Sequence, residues 1–153
     1  MCHCPGIDTR TLLQDYKEKI PNNAYSDVFV PTYDQMKRYQ GAWHIEQKPV
    51  FPEYIFLESD QKISYTDEYV TESSVLLPEQ EKLLRNLLGK EGHIPMSVGY
   101  IKDGCTHVTE GPLQGKEDLI RKIDRHKRLA KLEFAIGDVS KDLYAGLEII
   151  SKS

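Results

Sequence analysis

The chain has 153 residues, with 39% hydrophobic and 29% charged side chains, a composition typical of a soluble globular protein of one or two domains. No apolar run approaches the roughly 18 residues that a membrane-spanning helix needs, so we expect no membrane partner. The net charge of −4 argues against a protein that coats nucleic acid over its whole surface. The opening Met1–Pro5 lacks the charged start and apolar core of a signal peptide, and we expect a cytoplasmic protein.

The first half of the sequence predicts two helices and several short strands. Asp8 or Thr9 can cap a helix over 9–19, where apolar residues recur at helical spacing until Pro21. A second helix is predicted from Pro78, with an apolar face of four leucines that favours core packing and a stop at Gly89. Strands are predicted at 28–30, in a hairpin over 33–49 that turns near Gly41, at 54–57, and in weaker form at 63–65 and 69–71.

The composition changes after Gly89, where the sequence becomes rich in glycine and proline, and this indicates a connector. We therefore predict a first domain over 1–94, a linker over 95–100 and a second domain over 101–153. The second domain contains only short strand-like segments separated by turns, which suit a small SH3-like β-barrel. Its strands are predicted at 106–109, 118–124, 130–136 and 147–150.

A dense basic run lies in this second domain. The eleven residues 121–131 include six lysines and arginines and one acidic residue, Asp124. A local patch of this kind matters more than the mean charge, and it favours phosphate-bearing partners such as RNA. The alternative is that the run is only a solvated face. Upstream of it, Gly111 and Gly115 flank a tight turn, and we expect at least one of them to adopt a positive φ.

Two stretches resemble a known family. The segment HVTEGPLQGKEDLIRKIDRHKRLAKLEF resembles the KOW motif of NusG-like transcription factors and some ribosomal proteins. The segment VFVPTYDQMKRYQGAWHIEQKPVFPEYIFLES resembles the NusG N-terminal (NGN) domain. The ending GLEIISKS and the run KIDRHKR look closest to specialised NusG paralogues of the LoaP type, which are antitermination factors. The resemblance implies an α+β fold, with an NGN-type antiparallel sheet and flanking helices followed by an SH3-like KOW barrel.

The resemblance also implies that apolar residues of the first domain bind RNA polymerase. The matching positions are Phe51, Tyr54 and Phe56, with Trp43 and Tyr39 of the hairpin as further candidates. Spacing of two places Tyr54 and Phe56 on one face of their strand. The alternative is that these residues fill the core, which is the favoured interpretation for Phe51.

The basic run supplies the candidate RNA contacts, and Tyr144 can add base stacking. These candidates are Arg121, Lys122, Arg125, His126, Lys127, Arg128 and Lys131. The predicted function is transcription elongation and antitermination by a monomer that binds RNA polymerase and nascent RNA, with a leader hairpin as the expected RNA. The alternative is a KOW-type RNA- or ribosome-binding protein without polymerase contact. The target operon and the sign of the effect on pausing stay open.

Neither a cofactor nor a metal site is predicted. The three cysteines, Cys2, Cys4 and Cys105, do not suggest a disulfide framework. Together with His107 they offer four ligands for zinc, but their spacing differs from that of common zinc motifs, and metal binding stays an open alternative. The remaining histidines are scattered and form no catalytic motif, so we predict that the protein is not an enzyme.

Overall fold

Short strands make up most of the fold. The computed structural model describes residues 1–6, 8–19, 26–60, 72–136 and 139–153. Within these ranges the chain is a mixed α and β protein with two α-helices, α1 (Thr9–Lys19) and α2 (Pro78–Leu88). The strands are β1 (Cys2–His3), β2 (Asp27–Phe29), β3 (Thr32–Tyr39), β4 (Ala42–Pro49), β5 (Tyr54–Glu58), β6 (Glu72–Ser73), β7 (His93–Ile94), β8 (Ser97–Lys102), β9 (Cys105–Glu110), β10 (Ile120–Asp124), β11 (Leu129–Ile136) and β12 (Val139–Lys152).

The strands form three sheets. Their orders are β2-β5-β1-β6, β4-β3-β7 and β10-β11-β12-β8-β9. Most neighbouring strands are antiparallel, whereas β3 with β7 and β12 with β8 are parallel. Neither helix in the described ranges is long and apolar enough to cross a membrane. The expectation of a mixed α and β fold with two helices is therefore confirmed over the described residues, whereas two of the three sheets contain a parallel pair in addition to antiparallel ones.

Both predicted helices form, because their ends carry the capping groups that the sequence supplies. The Asp8 carboxylate accepts hydrogen bonds from the Arg10 backbone N–H at 3.1 Å and the Thr11 hydroxyl at 3.0 Å, which satisfies orphan donors at the start of α1. At α2, Pro78 occupies the first turn and Gly89 follows the last residue with φ of 62°. The core face predicted for α2 is confirmed by buried Leu84, Leu87 and Leu88. Both helices thus pack one apolar side inward.

The predicted hairpin over 33–49 is confirmed as β3 and β4. Tyr39 pairs with Ala42, so the loop is the two residues Gln40 and Gly41, both with positive φ (53° and 75°). This conformation matches the right-handed twist of the flanking strands. The strands predicted at 28–30 and 54–57 correspond to β2 and β5. The predicted strands at 63–65 and 69–71 lie outside the described residues.

The segment predicted as a linker, 95–100, mostly belongs to strand β8. Ser97 is fully buried, and β8 lies between β12 and β9 in the five-stranded sheet. Gly99 sits at a bulge in β8, where a Cβ atom would collide with the His107 backbone carbonyl oxygen. The glycine that suggested a connector is therefore required by a close approach of two strands.

The five-stranded sheet is open over the described residues and does not close into the expected barrel. Between β9 and β10 lie the turn at 111–115 and a 3₁₀ helix, Glu117–Leu119. The Val108 backbone N–H donates to the Glu117 carboxylate at 3.1 Å. The pKa of the Glu117 carboxyl is lowered because its carboxylate accepts backbone hydrogen bonds. The largest cause is the backbone N–H of Glu117 itself, followed by that of Val108.

One hydrophobic core crosses the predicted domain boundary. It includes Phe51 and Phe56 from the first half and Leu132 and Phe134 from the second. The rings of Phe51 and Phe134 lie 5.5 Å apart. The division into two domains stays a prediction, but the two halves pack against each other through large buried side chains.

Polar contacts reinforce this packing. The His93 imidazole bridges the Thr32 hydroxyl at 2.7 Å and the Asp34 carboxylate at 2.8 Å, and Asp34 also accepts the Met96 backbone N–H at 3.2 Å. On β12, a Cβ atom at Gly146 would collide with the Met96 sulfur and stand 2.6 Å from the Asp34 carbonyl oxygen. Strand β12 therefore passes so close to β3 at Gly146 that a side chain at this position would collide with its neighbours.

The glycine turn gives the first testable prediction. Gly111 and Gly115 both have positive φ (94° and 76°), as expected. A Cβ atom at Gly115 would meet nothing within 4 Å, whereas one at Gly111 would stand 2.6 Å from the Ser97 hydroxyl oxygen. We expect Gly115→Ala to cost about 1 kcal/mol through backbone strain. Gly111→Ala should cost about 1–3 kcal/mol more, because it adds overpacking. Urea denaturation of both variants measures the difference, and equal losses would contradict the close contact at Gly111.

Candidate nucleic-acid interface

The basic run forms a β-hairpin with a four-residue loop. Asp124 of β10 pairs with Leu129 of β11, which leaves residues 125–128 in the loop. The Lys127 backbone N–H donates to the Asp124 carboxylate at 3.0 Å and is the largest cause of the lowered pKa of Asp124. Arg128 closes the loop with a φ of 53°. Asp124, the residue before the loop, therefore holds the Lys127 backbone by a hydrogen bond.

Three side chains at the tip of this loop are exposed: Arg125, His126 and Lys127. Lys122 on the adjoining strand is also exposed. Among the described residues, no carboxylate lies within ion-pair distance of these four side chains. These side chains are therefore available to a partner. We call Arg125, His126 and Lys127 the basic tip.

The other three basic candidates form ion pairs within the protein. Arg121 lies 3.7 Å from the Glu133 carboxylate, and Arg128 lies 3.2 Å from that of Glu148. Lys131 lies 2.9 Å from the Asp142 carboxylate, and this hydrogen bond is the main cause of the raised pKa of Lys131. The basic run therefore contains side chains that are paired with carboxylates of the protein and others that are free to bind a partner.

Arg128 also contacts the first half of the chain. Its guanidinium carbon lies 4.0 Å from the centroid of the Trp43 ring, within the range of a cation–π interaction. Trp43 belongs to the hairpin of β3 and β4, so this contact places the aromatic hairpin beside the base of the basic loop. Two candidate surfaces that lie 85 positions apart in sequence are therefore adjacent.

The predicted polymerase face needs correction at two positions. Phe51 and Phe56 are only 3% and 4% exposed, and their rings lie 5.9 Å apart in the core. Both side chains lie in the core cluster that also contains leucines of α2 and Phe134 of β11, so neither is exposed as a surface anchor. For Phe51 this agrees with the core packing favoured by the sequence. For Phe56 it contradicts the interpretation as a surface contact.

Tyr54 packs against the same core as Phe56 but is only partly buried. Its ring stacks on His3 with centroids 4.7 Å apart, and the Lys141 ammonium lies 5.2 Å from its centroid. The neighbouring Glu53 carboxylate has a lowered pKa, chiefly because it accepts the Gly6 backbone N–H. Tyr54 therefore combines core packing with polar neighbours at the surface and does not form an exposed apolar pair with Phe56.

Three exposed large apolar side chains lie on the β3–β4 hairpin. Tyr39 and Trp43 are 42% and 38% exposed, and Ile45, which the sequence analysis did not select, is 59% exposed. Trp43 and Ile45 alternate along β4 and so share one face, a pattern that the sequence already contained. Tyr39 stacks on His44 with ring centroids 3.8 Å apart. Because Tyr39 pairs with Ala42, it lies on the face of the hairpin opposite to Trp43 and Ile45. We call Trp43 and Ile45 the hairpin patch.

A groove lies between β3 and the strands of the basic hairpin. It has a volume of about 330 Å³. Its lining residues are Tyr33, Gln35, Lys122, Asp124, Lys127, Leu129, Lys131 and Tyr144. We call it the lysine groove. The sequence analysis had selected its three lysines and noted Tyr144, but it had no signal for Tyr33 and Gln35, because these reach the groove only when β3 packs on β12.

The cysteines and histidines do not form a metal centre in the part of the chain that is described. Cys2 and Cys4 are buried on β1 and its flank, whereas Cys105 is exposed on β9. In these ranges no three His, Cys, Asp or Glu side chains are arranged to hold a metal ion. The Thr32–His93–Asp34 chain has the order of groups found in hydrolase triads, but Asp34 also binds the Met96 backbone, and we interpret the chain as a structural bridge.

Comparison with known proteins adds no family assignment. No protein-family model matches this chain, and no curated protein matches it significantly.

The contact between Trp43 and Arg128 generates a prediction about coupling. We expect a double-mutant cycle of Trp43→Ala and Arg128→Met to give an interaction free energy of about 0.5–1 kcal/mol, as for partly exposed cation–π pairs. Methionine keeps the length of the arginine stem and removes its charge. Arg121→Met is the matched control, because the ion pair of Arg121 is with Glu133. Urea denaturation measures all variants, and additive losses for Trp43 and Arg128 would show that the contact does not join the two surfaces.

Proposed function

We propose that this chain is a transcription elongation and antitermination factor. In this proposal residues 1–94 form an NGN-type unit that binds RNA polymerase, and the sheet of β8 to β12 is a KOW-type unit that contacts nascent RNA. No catalytic step is required of such a factor, because it acts by binding two partners at once. The proposal rests on the sequence resemblance and on the surfaces described above.

The observation that carries the RNA part is the basic tip. Arg125, His126 and Lys127 are exposed on a loop whose backbone Asp124 holds by a hydrogen bond, and Arg125 and Lys127 form no ion pair with described residues. Cations of this kind release counterions when they meet phosphates, which is the main source of affinity for nucleic acid. Arginine can also stack on unpaired bases or bind guanine edges.

The polymerase part is supported by the hairpin patch. Trp43 and Ile45 are large apolar side chains exposed on a two-stranded hairpin, and residues of this kind serve as anchors at protein interfaces. Trp43 also lies under Arg128, at the base of the basic loop. A protein partner on the hairpin and an RNA on the loop would therefore meet at adjacent surfaces, which suits a factor that binds polymerase where RNA emerges.

The second candidate function is an RNA- or ribosome-binding protein without polymerase contact. It is favoured by the burial of Phe51 and Phe56, which removes two of the apolar anchors that the NGN resemblance implied. The two functions differ in the role of the hairpin patch. Polymerase binding requires this patch, whereas RNA binding alone does not.

The RNA contact is tested by a salt titration. We expect Arg125→Gln with Lys127→Gln to weaken binding to a structured leader RNA and to flatten the slope of log affinity against log salt by about 1.5–2, because two phosphate contacts are lost. The control is Lys82→Gln with Lys90→Gln, which changes the net charge equally on exposed positions at α2 and its end. An unchanged slope in the first variant would reduce the basic tip to a solvated face.

The polymerase contact is tested by co-purification with core RNA polymerase, with and without RNA. We expect Trp43→Ala with Ile45→Ala to lower the affinity at least tenfold, because apolar anchors each contribute about 2 kcal/mol or more. Leu77→Ala with Ile150→Ala is the control, since these side chains are also large, apolar and exposed. Circular dichroism verifies that both variants are folded. If the wild-type protein binds RNA but never polymerase, the second candidate function is correct.

A further inference from the structure

The lysine groove joins the two halves of the chain. Tyr33 and Gln35 come from β3, whereas the lysines come from the basic hairpin and Tyr144 comes from β12. Its volume of about 330 Å³ lies at the lower end of the range for small-ligand sites, which is the scale of one nucleotide. The groove opens beside the basic tip, because Lys127 belongs to both.

The charge in the groove is net positive. Lys122 and Lys127 have no carboxylate within ion-pair distance among the described residues, and Lys131 is held by Asp142 at 2.9 Å. The one acidic lining residue, Asp124, keeps its negative charge when it accepts the Lys127 backbone N–H, and the charge of Lys127 is one cause of its lowered pKa. With Lys131 paired to Asp142 and one further lysine offset by Asp124, one net positive charge is left in the groove. A phosphate of an RNA strand that passes the basic tip is an anion of suitable size for it.

The groove also offers an aromatic surface and neutral hydrogen-bonding groups. Tyr144 is 37% exposed and pairs with Lys131 across the sheet. The buried Tyr33 hydroxyl donates to the Gln35 side-chain oxygen at 3.5 Å. Burial raises the pKa of Tyr33, with Tyr144 as a second cause, so this phenol stays a neutral donor at physiological pH. An aromatic ring beside lysines is the combination that binds unpaired nucleotides.

We propose that the lysine groove binds one unpaired nucleotide of an RNA strand that passes the basic tip. Lys122 and Lys127 bind its phosphate, and its base stacks on Tyr144, with Gln35 and Tyr33 as hydrogen-bond partners. The inference rests on the proposed function, because it supplies the single-stranded part of the same RNA contact. A base within a duplex is stacked between its neighbours and cannot enter the groove, so the site selects RNA with an unpaired segment.

The lysine groove is formed by residues from both halves of the chain. Because Gln35 and Tyr33 lie in the first half and Tyr144 in the second, the groove exists only while β3 and β12 stay packed. An RNA held there stabilises the packed arrangement by mass action. RNA binding and the relative position of the two halves are thereby linked.

The test compares two fluorescent RNA hairpins by anisotropy on the full chain, and in both a non-nucleotide linker replaces the loop so that no loop base is unpaired. One hairpin has blunt ends and the other carries a four-nucleotide unpaired tail. We expect the wild-type protein to prefer the tailed RNA. Tyr144→Leu should lower the affinity for the tailed RNA about tenfold, as loss of one stacked base does, and leave the blunt hairpin unaffected. Tyr144→Phe should keep the preference, because it keeps the ring. Arg125→Gln, at the basic tip, should weaken both RNAs equally.

Each outcome is decisive. If the wild type binds both hairpins equally and Arg125→Gln weakens both, the groove inference is wrong and the proposed RNA contact stands. If the wild type binds neither RNA, both are wrong. Lys122→Gln is a second variant on an exposed side chain, and its failure to weaken the tailed RNA would overturn the phosphate contact. Adenosine monophosphate that competes as strongly as the tailed RNA would identify a free nucleotide as the occupant and overturn the RNA assignment.

Discussion

The close packing of strand β12 on strand β3 is the constraint on which the rest of the structure depends. Gly146 allows the two backbones to approach, and a Cβ atom there would stand 2.6 Å from the Asp34 carbonyl oxygen. Below this contact, Phe51 and Phe134 join one core that crosses the chain's midpoint. Burial of rings of this size is the main favourable contribution to folding. The positions of the hairpin patch, the basic tip and the lysine groove relative to one another all follow from it.

Ion pairing then determines which basic side chains of the run 121–131 remain available to a partner. Acidic residues on β11 and β12 neutralise Arg121, Arg128 and Lys131, whereas the basic tip extends beyond their reach. Exposed ion pairs contribute little to stability, so the main effect of these carboxylates is on where positive charge remains. A sequence with six basic residues in eleven positions is thereby converted into a small, directed patch. In the proposed function, this patch is where an otherwise acidic protein contacts RNA.

In the proposed function, the first half of the chain binds RNA polymerase while the second half binds nascent RNA. Such a factor needs rigidity between its contacts, since a mobile connection would lose part of the advantage of binding both partners. Strand β8, the His93 bridge and the shared core are the contacts that join the two halves. The packing also buries Phe56, so the hairpin patch offers a protein partner an exposed apolar surface that the β5 strand does not.

The sequence by itself determined the local elements: helix 9–19, the hairpin around Gly41, the helix from Pro78 and the positive φ of the glycine turn. These depend on capping, turn chemistry and periodicity, which act between near neighbours. Only the tertiary structure decided that 95–100 mostly joins a strand, that the sheet stays open, and which basic residues remain unpaired. Those outcomes depend on contacts such as Gly99 with His107 and Lys131 with Asp142. Strand pairing and ion pairing between distant residues leave no periodic signal along the chain, because the spatial neighbour is set by packing and not by spacing.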